Sequence, residues 1–125
     1  MNGLSTTSVV IIDNEPNEAI PIISALSKIN IASAFFDWEQ KNLPKTENQL
    51  KGIRLAILDM DLVGGGVDSK SKIAALINTF SKIISLKNGP YAVIAWTKHP
   101  ELLSEFEEYI FKEKSIPNPV ISIMM

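Results

Sequence analysis

The chain has 125 residues, 46% of them hydrophobic, which is enough for one domain with a real core. It contains no cysteine, and this excludes a disulfide scaffold, a thiolate zinc site and a cysteine nucleophile together. The 12 basic residues nearly balance the 14 acidic ones without any long basic run, so direct nucleic-acid binding is not expected.

Residues 1–7 are short and polar and read as a flexible N-terminus, with neither a signal peptide nor a membrane span. The domain is expected over 8–125, in a reducing cytoplasm. Ser8-Val9-Val10-Ile11-Ile12 is β-branched and apolar, the composition of a buried strand, and it ends on Asp13-Asn14-Glu15. Pro16 suits a first helical turn, and Ala19, Ile22/Ile23, Leu26 and Ile29 then recur near a 3.6 period. Ile31 to Phe36 reads as a second strand. Residues 37–52 are polar around Pro44, with Leu43 and Leu50 as anchors; a loop with a stub helix capped by Thr46 and Gln49 is expected.

A third strand runs from Arg54 to Asp59, dense and without alternation, as in a sheet buried on both faces. It ends on Asp59-Met60-Asp61, and three glycines follow at Gly64, Gly65 and Gly66. Ser69 or Ser71 caps the next helix, with Ile73, Leu76/Ile77, Phe80 and Ile83/Ile84 inward and Asn88-Gly89-Pro90 as its stop. Tyr91 to Trp96 forms a fourth strand ending at Thr97. Pro100 opens a helix with Leu102/Leu103, Phe106 and Tyr109/Ile110 inward, and Val120 to Met124 is the last strand. Strands alternating with helices predict an α/β protein, a doubly wound five-stranded parallel sheet of order 2-1-3-4-5. Its topological switch point lies between the first and third strands, so Asp13 and Asp59 are expected to meet there.

Carboxylates crowded into one crevice repel, and either one pKa rises or a cation is recruited. Magnesium fits, because it takes one or two carboxylates together with waters and phosphate oxygens. A carboxylate so screened can act as a nucleophile and form an aspartyl-phosphate, and Thr97 can donate its hydroxyl to a phosphoryl oxygen.

Ile11-Ile12-Asp13-Asn14-Glu15-Pro16, Leu55-Ala56-Ile57-Leu58-Asp59 and Val93-Ile94-Ala95-Trp96-Thr97 together resemble the strand ends of response-regulator receiver domains. The resemblance spans nearly the whole chain. It implies a flavodoxin-like fold and a signalling module rather than a turnover enzyme. Asp59 would be the phosphoacceptor, supplied by a histidine kinase or a phosphotransfer protein, and Thr97 the switch hydroxyl. Asp13, Asp59 and the backbone carbonyl of Asp61 would hold Mg2+, with Asn14 or Glu15 as a possible further ligand. The output would pass to an effector domain or partner protein, and a homodimer is common in the family.

The chain departs from that pattern at several positions. Asn14 stands where the family usually has a second acid, and an amide is the weaker ligand. Gly64 to Gly66 replace a more compact loop, and Ile121-Ser122-Ile123 lacks the usual aromatic. The family's lysine and last helix would fall after Met125, so the last helix is expected to be missing from 8–125. These departures motivate a second reading, a pseudo-receiver that works by phosphorylation-independent protein interaction. Asp59-Met60-Asp61 with Thr97 also resembles the first two motifs of haloacid-dehalogenase-like phosphatases, Asp59 being nucleophile and Asp61 general acid. That motif normally lies on a domain's first strand, and little chain remains after Thr97 for the groups such enzymes need. His99, the Lys70/Lys72 pair, Trp38 and Trp96 read as ordinary surface or packing residues.

Overall fold

Runs of β-branched and apolar residues make the strands, and amphipathic segments between them make the helices that cover the sheet. A computed structural model describes residues 7–13, 15–37, 43–45, 49–59, 69–96, 101–112, 117–119 and 121–124. The elements run β1 (Val9–Ile12), α1 (Pro16–Lys28), β2 (Ser33–Phe36), β3 (Leu55–Asp59), α2 (Ser69–Ile83), β4 (Ala92–Trp96), α3 (Glu101–Lys112) and β5 (Ile121–Met124). All pairings are parallel: β1 lies between β2 and β3, β3 also pairs with β4, and β4 with β5. Among the described residues no helix is long and apolar enough to cross a membrane.

Strand side chains alternate between the two faces. Val10, Ile12, Ala56, Leu58, Val93 and Ala95 bury against α2 and α3, around Ile73, Leu76, Phe80, Phe106 and Ile110. The ring of Phe80 lies 6.0 Å from that of Tyr91 and 6.1 Å from that of Phe106, the latter edge-on at 72°, an arrangement that favours the ring quadrupoles. Val9, Ile11 and Ile57 turn the other way and meet α1 through Ala19, Ile22, Ile23 and Leu26. Helix α1 thus lies on one face and α2 with α3 on the other, as right-handed crossovers require when the chain steps outward in both directions from β1 and β3.

Element ends differ from the sequence expectation where tertiary bonds decide them. Helix α1 closes with a Schellman motif: Asn30 adopts φ 64°, its N–H reaches Ser27 O at 3.0 Å, and Ile31 N–H reaches Leu26 O at 2.9 Å. Ile31 is therefore spent on the cap, β2 begins at Ser33, and Ile29 is left 65% exposed instead of inward. Helix α2 stops at Ile83, before Asn88-Gly89-Pro90. Leu50 takes its end: Leu50 N–H bonds Ile83 O at 2.8 Å and Ser85 N–H bonds Leu50 O at 2.9 Å. Asn88 is then free for a different task, its buried amide accepting from Ile53 N–H at 2.7 Å and donating to Ile53 O at 3.0 Å. In α3, Tyr109 points outward at 41% exposure while Leu102, Phe106 and Ile110 are buried. Of the stub helix expected within 37–52, the described residues show none, and Thr46 lies outside them.

Candidate functional site

Asp13 and Asp59 are brought together by register. Ile12 pairs with Leu58, so the next residue of each strand stands side by side at the carboxyl end of the sheet. Both follow the Val9, Ile11 and Leu55, Ile57 parity, which directs them to the α1 face. Asp13 is completely buried and Asp59 is 5% exposed.

Asp13 is held by three features of its own segment. Its N–H bonds Phe36 O at 3.1 Å, extending the β1–β2 ladder by one residue. Its Oδ1 accepts the Glu15 N–H at 2.8 Å, an Asx turn that leads into α1. Its Oδ2 is buried and has no hydrogen-bond partner. Burial raises the Asp13 pKa above its ordinary 3.8, the Glu15 N–H opposes that, and the neighbouring Asp59 charge adds to it.

A third acid completes the cluster. Carboxylate oxygens of Asp13, Glu18 and Asp59 all lie within 4.8 Å of one another. Glu18 sits in the first turn of α1, three residues past the N-cap, Glu15, whose extended backbone (φ −115°, ψ 102°) and the following Pro16 start the helix. Helical side chains lean toward the N-terminus, so an acid at this position reaches back over the strand end. The N-terminus of α1 also offers partial positive charge to the group.

Of the residues expected at the site, Asp13 and Asp59 meet as the strand order required. Glu15 contributes its backbone N–H to Asp13, but its exposed side chain makes no capping bond and is outside the three-acid group. Asn14, Asp61, Thr97, Gly64 to Gly66 and His99 lie outside the described residues. Glu18 was not anticipated; its signal is an acid in the third helical position directly after a strand-end Asp and Pro16. The donor set is all oxygen, with one buried oxygen unsatisfied, and this fits a hard cation such as Mg2+. No family model, curated protein or solved structure matches the chain.

Proposed function

We propose that the chain is a receiver-like signalling module of flavodoxin-like fold, with five parallel strands in the order 2-1-3-4-5, in which Asp59 accepts a phosphoryl group. The observation that carries this reading is the meeting of two buried strand-end carboxylates, Asp13 and Asp59, at the carboxyl end of adjacent parallel strands. Asp59 Oδ attacks phosphorus, the bond from phosphorus to the donor's leaving atom breaks, and its electron pair departs with the donor, a phosphohistidine of a histidine kinase or phosphotransfer protein. Asp13 and Asp59 would hold Mg2+, which when bound screens the attacking carboxylate from the donor's negative charge. The Glu15 N–H orients the Asp13 carboxylate, and the strand bond to Phe36 O fixes the backbone that carries it. The roles of Asp61, through its carbonyl, and Thr97, as switch hydroxyl, belong to the same proposal. Phosphorylation adds charge at the carboxyl end of the sheet and biases the segments after β3 and β4, which carry the signal to an effector domain, a partner protein or a second copy.

Incubation with acetyl phosphate and Mg2+ followed by intact mass measurement tests this. One phosphoryl adduct is expected on the wild type and none on Asp59→Asn. Asn14 in the second acid position favours one competing reading, a pseudo-receiver that binds its partner without phosphorylation. Absence of the adduct under saturating donor would support that reading and refute the phosphoacceptor. Sustained phosphate release from a phosphomonoester would favour the phosphatase chemistry instead.

A further inference from the structure

Phosphoryl acceptance calls for Asp59 and an acid beside it, but the cluster holds one carboxylate more. Glu18 comes from a different element and from an otherwise exposed position, yet its carboxylate oxygen lies within 4.8 Å of those of Asp13 and Asp59. Independently, Asp13 is wholly buried and its Oδ2 has no hydrogen-bond partner. A buried carboxylate oxygen is normally satisfied, and this one is on a residue of the three-acid group that includes Glu18. We propose that Glu18 is a direct ligand of a hard divalent cation, Mg2+ or Mn2+, held between the carboxylates of Asp13, Glu18 and Asp59 and bound without any phosphoryl group.

The chemistry of the three donors selects the cation. Oxygen-only ligands favour Mg2+, Ca2+ and Mn2+ over metals that prefer imidazole or thiolate, and the chain has no cysteine to offer. Three negative charges call for a divalent ion rather than a monovalent one. Two ligands come from the carboxyl ends of adjacent strands, Asp59 closing β3 and Asp13 directly following β1, and the third from the first turn of a helix begun by Pro16, with Glu18 N–H bonded to Glu15 O at 3.0 Å. The exposed position of Glu18 leaves the outer side of the ion to water or to a phosphate oxygen. The inference rests on the receiver-like reading for what the cation is used for, and it gives that reading a second acid from α1 where the strand end has Asn14. The alternative role for Glu18, a carboxyl hydrogen-bonded to Asp13 as a purely structural contact, is preserved in Glu18→Gln, because the amide still donates.

The test is titration with Mn2+ alone, following free Mn2+ by electron paramagnetic resonance, with Mg2+ as competitor. One Mn2+ per chain is expected. Since loss of a mere supporting partner weakens metal sites about 10–100-fold, Glu18→Gln as a lost ligand should weaken binding at least about tenfold. Glu108→Gln on the far helix, with the same charge change, should leave binding as in the wild type. Equal affinity in Glu18→Gln and wild type, a loss seen with Glu15→Gln but not Glu18→Gln, or no binding in the wild type would each overturn the assignment. Unchanged far-ultraviolet circular dichroism of Glu18→Gln shows that a loss is local. The two proposals separate cleanly. Binding that depends on Glu18 without an adduct from acetyl phosphate removes the phosphoacceptor and keeps the site. An adduct on Asp59 with Glu18→Gln binding normally does the reverse.

Discussion

Replacing Asp13 with asparagine should stabilise the metal-free protein near neutral pH. Asp13 is completely buried, its Oδ2 has no partner, and its carboxylate lies within 4.8 Å of that of Asp59. An unsatisfied buried polar atom costs about 1–3 kcal/mol. Two ionised carboxylates at that separation repel by roughly 3.5 kcal/mol at an effective dielectric of about 20. The two costs overlap, because a single shared proton relieves both, so a net gain of about 1–3 kcal/mol is expected for Asp13→Asn. The amide oxygen still accepts the Glu15 N–H, and the new NH2 donates toward Asp59. For a chain of this size that corresponds to a rise of roughly 4–12 °C in Tm.

The gain should depend on pH in a definite sense. The Asp13 pKa is raised in the folded state above 3.8, so folding takes up a proton between those two values. The stability this group contributes is present below 3.8 and is lost as pH rises through the higher folded value. Thermal unfolding followed by circular dichroism in chelator should therefore show wild type and Asp13→Asn close together near pH 4 and diverging toward neutrality. Saturating Mg2+ should narrow or reverse the gap, since ligand at 100 times Kd stabilises the wild type by about 2.7 kcal/mol. A variant less stable than wild type in chelator at neutral pH, or a gap independent of pH, would refute the reasoning.

Phe80→Ala removes a fully buried ring that touches both Tyr91 and Phe106 and should cost about 3–5 kcal/mol in urea unfolding. Asn88→Ala strands the Ile53 N–H and C=O together and should cost about 2–4 kcal/mol; Asn88→Asp should restore little, because a carboxylate cannot donate to Ile53 O. Tyr91→Phe deletes the hydroxyl that donates to Pro117 O at 2.5 Å and should cost about 1 kcal/mol, a loss measurable by the same unfolding curves.

The α/β class and the meeting of Asp13 with Asp59 were legible because both follow from long-range rules that act on contiguous residues. Unbroken apolar runs mark doubly covered strands, and the switch point then lies between the first and third. Element ends were less legible where a distant residue sets them. Asn88-Gly89-Pro90 has the composition of a helix stop, but α2 had already ended where Leu50 captured the Ile83 carbonyl and Ser85 N–H. Nothing local to residues 83–90 announces a partner more than thirty positions earlier. Ile29 and Ile31 illustrate the same limit at shorter range. Both fit an inward apolar pattern, and the left-handed Asn30 turns the chain so that Ile31 packs against the Val9, Ile11, Ala19 and Ile57 cluster while Ile29 faces solvent.

Glu18 was missed for a geometric reason that sharpens the site. Read linearly, the acids nearest Asp13 are the ones to consider, and Glu15 lies two residues away against five for Glu18. In three dimensions the order inverts. Glu15 occupies the N-cap, where the backbone is still extended and the Asx turn uses its N–H, so its side chain projects into solvent. Glu18 is one turn further on, and the backward lean of helical side chains returns its carboxylate to the strand end. A candidate ligand set drawn from a strand terminus should therefore include the third residue of the helix that follows, and here that rule exchanges Glu15 for Glu18. The exchange also changes what Asn14 implies. An amide at the second strand-end position would leave a site of two acids short of charge, but an acid from α1 makes the count three without it. If Glu18→Gln and Asp13→Asn each weaken Mn2+ binding, and Glu15→Gln does not, the charge that Asn14 lacks is supplied by the helix.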